Sequence, residues 1–307
     1  MKKRFVSSIL AFSVLTLFTI SGCKKSAESE TDYTSNFSVQ TDDQTFFSAE
    51  DDAVSNEVNT VLEVDSTFAG RVENTVCHTT ITHSSTSTSK ILTITYNGLD
   101  CSGNRNRTGV VVLTLPKEKR WKEAGAQLSI TYNNFSITRV SDTKTIVLNG
   151  TKTVTNVTGG ELKNLPTLKA ITHNITSSDL SITFSDGTKR SWQIVKQRVF
   201  TFNNGVVIST QGMHTDGTTN NIAEWGINRL GETFSTQIVE PVVLRQDCDF
   251  RIVSGKIAYT KLERPVTITY GLNAAGVATT CPGTGHYYYK IEWTTIKNIA
   301  HSVIHSY

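Results

Sequence analysis

The sequence is poor in proline, methionine, charged residues and long hydrophobic runs. Its 307 residues include only 5 Pro and 2 Met, hydrophobic residues make up 37%, and charged residues make up 19%. These values argue against collagen, a coiled coil and a protein with several membrane spans. Threonine, by contrast, occurs 46 times, and threonine is enriched in strands. The composition therefore predicts a β-rich, exported protein.

One long hydrophobic run is present, and it lies near the N-terminus. A cationic start at residues 2–4 is followed by the apolar run Phe5–Ile20 and then by Ser21-Gly22-Cys23. Because the run is shorter than the ~20 residues that span a bilayer, it is typical of an export signal. The residues ending at Cys23 resemble the bacterial lipobox. This resemblance implies a lipoprotein signal peptide at residues 1–22 and a diacylglyceryl group on Cys23; since no Asp follows Cys23, it also implies the outer membrane.

Cysteine usage agrees with an exported protein. With Cys23 acylated, four cysteines remain, and an even number in an exported chain predicts disulfides. Three pairings are possible, and nearness in sequence favours Cys77 with Cys101 and Cys248 with Cys281. The sequence contains no CxxC motif, so zinc binding through cysteine is not expected.

Charge divides the chain into two parts. Residues 26–70 hold eleven acidic residues and no base, whereas residues 71–307 hold 25 Lys and Arg against 16 Asp and Glu. The acidic segment is either a solvated, disordered tether or a segment that docks on the basic body. A body of this charge could also face an anionic glycan or lipopolysaccharide.

The order of patterns along the chain predicts a tether followed by one domain. Residues 23–47 are polar and lack a sustained period, which predicts an acidic flexible tether. Residues 48–307 predict a single all-β domain that opens with a helix over residues 49–68. Ser48 begins a capping-box pattern, and apolar residues then recur at helix spacing. These apolar residues are Val54, Val58, Val61 and Leu62.

After this helix almost every segment alternates apolar and polar residues. Four stretches share one pattern, of which Leu92-Thr-Ile-Thr-Tyr96 is the first, and turn dipeptides such as Asp186-Gly187 and Asn204-Gly205 lie between segments. No helical pattern separates these strands, so they are expected to be antiparallel. The predicted fold is mainly β, with a large antiparallel sheet, as a sandwich or a partly closed barrel, and one N-terminal helix.

One predicted strand, Lys189–Phe202, has an unusual face. Its even-numbered positions combine cations with aromatic residues, and the candidate ligand-binding residues are Arg190, Trp192, Lys196 and Arg198. In a groove, these residues would bind an anionic amphiphile or a sugar through charge pairing and stacking. At the wet margin of a sheet, the same long side chains would only reach towards solvent. The two interpretations stay open at this point.

Patterns for catalysis or metal binding are sparse. His301 and His305 would share a face if residues 295–307 form a helix, but helix and strand are both open there, and no third ligand follows. Asp247 and Asp249 would share a strand face, and a glycosidase needs a pair of carboxylates. The sequence therefore predicts no catalytic residue, no metal site and no cofactor.

The chain as a whole resembles the Thr- and Asn-rich envelope lipoproteins of Bacteroidota, through its lipobox, its β-rich body and turns such as residues 186–192. An N-terminal helix before an antiparallel sheet is also loosely similar to envelope lipoprotein carriers, which hold acyl chains in an open barrel. The expected function is a non-enzymatic binding or structural module, anchored to the outer membrane by its lipid and without a nucleic-acid partner. The alternatives are a carrier of a hydrophobic or anionic amphiphilic ligand and a glycan-active enzyme.

Overall fold

The computed structural model describes residues 30–64, 76–261, 264–281, 285–294 and 298–307. The predicted signal peptide at residues 1–22 and the predicted lipidation site Cys23 lie outside these residues. The chain divides into two compact units, with the boundary between Ser48 and Ala49. The fold is mainly β with one long N-terminal helix, which confirms the predicted fold class.

Within the described residues, two α-helices and fifteen strands are present. The helices are α1 Glu30–Val64 and the short α2 Leu165–Leu168, which follows a 3-10 turn at Leu162–Asn164. The strands are β1 Thr79–Ser85, β2 Ser89–Leu99, β3 Arg105–Pro116, β4 Ala126–Arg139, β5 Thr145–Asn156, β6 Ala170–Phe184, β7 Lys189–Phe202, β8 Val206–Gly212, β9 His214–Asp216, β10 Thr219–Ile227, β11 Thr233–Arg245, β12 Arg251–Lys261, β13 Arg264–Leu272, β14 Tyr288–Thr294 and β15 Ala300–Ser306.

Helix α1 begins well before the predicted position. The sequence predicts a helix over residues 49–68, whereas α1 starts at Glu30, so residues 30–47 are helical and not a flexible tether. The segment contains no Pro or Gly, which permits an uninterrupted helix. High acidity suggested disorder, but it is compatible with a helix; residues 65–68 lie outside the described residues.

The strands form one antiparallel sheet in which most neighbours in sequence are neighbours in space. From β1 to β7 each strand pairs with the next, and the order then continues from β7 to β10 and through β11 to β15. Strand β4 shows why the alternating pattern produces this sheet, since Leu128, Ile130 and Tyr132 are buried while Gln127 is exposed. Residues 300–306 form a strand, which settles the question of helix or strand there in favour of a strand.

A small part of the sheet closes on itself. Strand β7 pairs with β10 through residues 191–194 and with β8 through residues 196–202. Strand β11 completes the ring, because residues 233–237 pair with β10 and residues 242–245 pair with β8. The structure therefore contains one continuous sheet with a closed four-strand portion, where the sequence left a sandwich and a partly closed barrel open.

Glycine permits sharp irregularities in two strands. Gly109 in β3 has a φ of 107° and Gly150 in β5 has a φ of 112°. The register shifts at both places, and a Cβ atom at either glycine would collide with the backbone of Asn134 or Asp179, respectively. Such bulges bend a strand and increase its twist. They favour a curved sheet.

Two cysteine pairs join the turns at the margins of the sheet. The Cα atoms of Cys77 and Cys101 are 5.2 Å apart, and those of Cys248 and Cys281 are 5.3 Å apart. Both pairs are disulfide-bonded, which confirms the predicted pairing. The first links the segments that flank β1 and β2, and the second links the turn after β11 to the loop after β13.

Candidate functional site

Strand β7 places all four candidate ligand-binding residues on one buried face of the sheet. Arg190, Trp192, Lys196 and Arg198 are each 7% exposed or less. Alternation along the strand puts Phe200 on the same face, where it is also buried. The structure therefore brings the predicted cations and aromatic residues together in the interior and not at a solvated margin.

Helix α1 covers this face with a row of carboxylates. At 3.6 residues per turn, Glu50 and Glu57 fall on one edge of the apolar stripe and Asp51 falls on the other. The stripe between them is formed by Val54, Val58 and Val61, which are all buried. Of the two interpretations of the acidic segment, docking on the basic body is the one that the structure shows for residues 50–57.

Asp51 lies at the centre of a group of buried charges. Lys152 of β5 donates a hydrogen bond to its Oδ1, and the Tyr132 hydroxyl donates to the same oxygen at 3.1 Å. The Lys196 Nζ lies 3.6 Å and the Arg198 Nη2 4.0 Å from Oδ2. Asp51 and Lys152 are completely buried. One carboxylate of the helix thus faces three cations and one hydroxyl of the sheet.

The ionisation of this group follows from the balance between burial and charge. Burial by itself raises the pKa of Asp51, but Lys152, Lys196 and Arg198 together hold the pKa well below its usual range. Burial lowers the pKa of Lys152, although Asp51 opposes this shift. Asp51 is therefore an anion at neutral pH, and its neighbours stabilise that charge in the buried environment.

Two further ion pairs fix the opposite edge of the helix. Arg107 of β3 lies 2.9 Å from Glu57, and the hydroxyl of Tyr96 donates a hydrogen bond to the same carboxylate at 2.9 Å. Two turns earlier on this edge, Arg105 donates to Glu50 at 2.6 Å. The helix is consequently held to the sheet by charge along both edges and by valines between them.

The cation row continues towards the closed portion of the sheet. Glu224 of β10 lies 3.6 Å from both Arg190 and Lys196. The Arg190 guanidinium also lies over the ring of Phe234, at 4.4 Å, and over that of Trp192, at 5.1 Å. Arg190 and Trp192 therefore belong to a packed interior cluster, whereas Lys196 lies between this cluster and Asp51.

A buried histidine separates the charges from an apolar region. The ring of His173 lies 5.0 Å from that of Trp121 and 4.7 Å from that of Phe200, measured between centroids. Burial, with a smaller contribution from the charge of Arg198, lowers the pKa of His173 to about 3. The imidazole is neutral at pH 7 and packs as an aromatic ring.

A cleft of about 370 Å³ opens at the end of the same row. Asn56, Asn59 and Thr60 of α1 form its polar wall, and Phe202 and Phe250 belong to its apolar lining. Beneath this lining is a cluster of apolar residues that includes Leu165, Ile171, Phe200, Ile208 and Leu244. The volume lies at the lower end of the range of small-molecule sites.

The remaining candidates from the sequence are separate from this face. Asp247 lies in a 3-10 turn and pairs with Arg245, while Asp249 has a left-handed backbone and lies 3.8 Å from Arg251. These two carboxylates therefore do not share a strand face as expected. Asp247 is close to Cys248 and Cys281, but both sulfurs are in a disulfide.

His301 and His305 lie on β15 and pack against aromatic rings. His301 stacks on Trp293 with 5.5 Å between centroids, and His305 lies 5.6 Å from the ring of Tyr289. Residues four apart in a strand point to the same face of the sheet. His301 and His305 therefore share a face here, as they would also do in a helix. The structure brings no third metal-ligating group to them within the described residues.

No protein-family model, no curated protein and no solved structure matches the chain. Across the residues that the structure describes, no helix is both long enough and apolar enough to cross a membrane. The chemistry of the buried face and the cleft is therefore the basis for assigning a function.

Several residues of this face were not predicted from the sequence. Asp51 borders the apolar stripe of α1, and Lys152 occupies an inward position of β5 between the buried Leu148 and Val154. A polar residue at an apolar position is a signal that the sequence contained. What it lacked was any local indication that Asp51 and Lys152, which are 101 residues apart, pair with each other.

Proposed function

We propose that this protein is a non-catalytic binding module of the cell envelope, anchored to the outer membrane by a lipid on Cys23. The cationic start, the apolar run and the lipobox-like residues 20–23 support the anchor. Two disulfide-bonded pairs support an oxidising compartment, because such bonds are rare in the cytosol. The resemblance to envelope lipoproteins of Bacteroidota agrees with this address.

The binding site proposed for this module is the inner-face site. We define it as Lys152, Lys196, Arg198 and Phe200 of the sheet together with the adjoining cleft that Phe202 lines. The single observation that carries the proposal is the cleft, which has a polar wall from α1 and an apolar lining. Sites for small molecules combine a largely apolar surface with a few placed polar groups. An anionic glycan or lipopolysaccharide is the partner that the cations favour.

A carrier of a hydrophobic or anionic amphiphilic ligand is the second candidate function. The apolar lining of the cleft favours it, since Phe202, Val206 and Ile208 would offer an apolar surface to an apolar chain. The ion pairs under α1 limit this role, because they fill the face on which a long chain would otherwise lie. A carrier would therefore hold only a short apolar group unless α1 moves.

The anchor is tested by mass spectrometry of the protein purified from bacterial membranes. We expect the mature chain to begin at Cys23 and to carry acyl groups on that residue. The variant Cys23→Ser should move from the membrane fraction to the soluble fraction. An unmodified Cys23 or a mature terminus elsewhere would refute the anchor, whatever the cleft binds.

Binding is tested by screening the full chain against glycan and lipid arrays. A bound compound should lose about tenfold or more in affinity with Phe202→Ser, which removes an exposed ring from the cleft. Val277→Ser is the matched control, because Val277 is also exposed but does not line the cleft. Equal loss in both variants, or no binding to either array, would leave a structural role in place of a binding one.

A further inference from the structure

We infer that the sheet contains a binding site for a single oxyanion group, such as a phosphate, sulfate or carboxylate, and that Asp51 of α1 occupies it. The site is formed by Lys152, Lys196, Arg198 and Tyr132. This inference deepens the proposed binding function, on which it rests, by naming the chemical group that the inner-face site recognises. Asp51 then acts as an internal substitute for the ligand.

The donors of this site all belong to the sheet. Tyr132 lies on β4, Lys152 on β5, and Lys196 and Arg198 lie two residues apart on β7, so that they share a face. These strands are held in place by continuous backbone pairing through β6. The donor arrangement therefore does not depend on α1 for its construction.

The charge of the site is unbalanced without the helix. Lys196 retains a carboxylate of the sheet, since Glu224 lies 3.6 Å away. Arg198 pairs with Asp52, and Lys152 pairs with Asp51, and both of these carboxylates belong to α1. If α1 moves away, three cations of the sheet face one carboxylate. Such an excess of closely spaced positive charge favours the binding of an anion.

Asp51 satisfies the site incompletely. Its Oδ2 atom is buried and has no hydrogen-bond partner, and the same is true of the Nε atom of Arg198. Buried polar groups usually have a partner. A phosphate or sulfate has more acceptor oxygens than a carboxylate and would reach more of these donors. An unpaired Arg198 Nε and an unpaired Asp51 Oδ2 are expected if Asp51 is a smaller group than the ligand for which the site is built.

The cleft supplies a path from solvent towards this site. Arg198, Phe200 and Phe202 follow one another on the inner row of β7, and Phe202 lines the cleft. Phe202 follows Arg198 by four positions along the strand, which corresponds to about 13 Å. Packing between α1 and the sheet is incomplete along this part, because Asn56 and Asn59 face the cleft. An anionic amphiphile could place its head at Arg198 and its apolar part in the cleft.

The test is rescue of the Asp51→Asn variant by an added anion, with the full chain. The variant should melt at a lower temperature than wild type, because three cations lose their common partner. Inorganic phosphate at constant ionic strength should raise its melting temperature more than that of wild type. Dodecyl phosphate should bind the variant about tenfold or more tightly than wild type, since the internal competitor is gone.

Two further variants keep this test decisive. Asp142→Asn removes an exposed ion pair with Arg139 and should show no specific response to phosphate. Asp52→Asn removes the partner of Arg198 at a less buried position and serves as the site variant if Asp51→Asn does not fold. Its response to phosphate should be smaller than the response expected of Asp51→Asn. Phosphate responses no greater than that of the Asp142→Asn control, in both site variants, would overturn the inference.

The probes also separate the two proposals. If phosphate and dodecyl phosphate stabilise Asp51→Asn equally well, the site binds a free anion. If only dodecyl phosphate stabilises it, the site binds the head group of an amphiphile. Either result supports the inference. If uncharged monolaurin binds wild type and Asp51→Asn equally well and no phosphate acts, the inference is overturned while the binding function stands. If no array compound binds but phosphate restores Asp51→Asn, the oxyanion site is supported and the cleft is not its entrance.

Discussion

The buried face of the sheet is built from two different chemistries. Under α1, it consists of ion pairs such as those of Lys152 with Asp51 and Arg107 with Glu57. From β11 to β14 it consists of aromatic contacts, for example Tyr270 with Tyr289 at 6.0 Å between ring centroids. Both regions arise from the same alternating strand pattern.

The two regions differ in how their contacts depend on protonation and on single residues. A buried ion pair depends on both partners and on their protonation states, and removing one partner leaves a desolvated charge. An aromatic contact depends mainly on burial and ring geometry. The charged region is therefore expected to respond to pH and to loss of a single partner, whereas the aromatic region is expected to respond only to loss of packing.

The largest expected contrast between the regions is in mild acid. The pKa of His173 falls from 6.5 to about 3 on folding, so the unfolded chain binds the proton first as the pH drops. Stability should therefore fall between pH 6.5 and about 3, by up to about 4 to 5 kcal/mol. Asp51, with a depressed pKa, loses its contribution only below its unfolded value of 3.8. The free energies of urea unfolding at pH 7 and pH 4, both above 3.8, therefore measure the contribution of His173 separately from that of Asp51.

The matched variants for this acid effect are His173→Gln and His305→Gln. The first removes the buried imidazole and should lose most of the stability change between pH 7 and pH 4. The second removes a histidine that contacts Tyr289 in the aromatic region and should keep the wild-type change. The attribution to His173 is wrong if both variants keep the same pH dependence.

Loss of one buried charge is the next largest expected effect. Lys152→Met removes the cation that donates to Asp51 and should destabilise the protein by about 3 to 5 kcal/mol in chemical unfolding. The double variant with Asp51→Asn should recover much of this loss, because the orphaned carboxylate is gone. Equal destabilisation in the single and double variants would mean that Lys152 acts through packing and not through its charge.

A change in the aromatic region should be smaller and independent of pH. Tyr270→Leu removes one ring of the cluster around Tyr289 and Tyr307 and should cost about 1 to 2 kcal/mol. Unfolding at pH 7 and pH 4 should give the same difference from wild type. A strong pH dependence of this difference would show that the two regions are coupled.

The smallest expected effect is at an exposed ion pair. Arg139 lies within 2.5 Å of Asp142 and holds the pKa of that carboxyl at about 2, but the pair lies at the surface, where Asp142 is exposed. Screening limits its contribution, and Asp142→Asn should change the unfolding free energy by about 0.5 kcal/mol or less. A loss comparable to that of Lys152→Met would contradict the distinction between buried and exposed pairs.

Much of the sheet could be predicted because its information is local. The predicted strand 189–202 has the same bounds as β7, since fourteen residues alternate without Gly or Pro. The grouping of Arg190, Trp192, Lys196 and Arg198 on one face followed from the same period of two. Helix α1 was predicted only in part, because acidity in residues 30–47 concealed a segment without helix-breaking residues.

The remainder of the site depends on contacts between distant parts of the chain. Alternation places Lys152 and Arg107 on a face but does not say which carboxylate meets them. Closure of the four-strand portion is equally non-local, because β7 divides its length between β8 and β10. The alternation of apolar and polar residues along a strand indicates neither the partner of a buried charge nor the division of a strand between two neighbouring strands.

Strand β7 also limits how this protein can vary in length. Inserting or deleting one residue within it would turn every following side chain to the opposite face. Gln197 and Val199 would then point inward, and Lys196 and Arg198 would point to the outer surface, away from α1. Substitutions in β7 alter single contacts, but a shift of one residue would move both Lys196 and Arg198 away from α1. Insertions should therefore be confined to turns such as Asp186-Gly187.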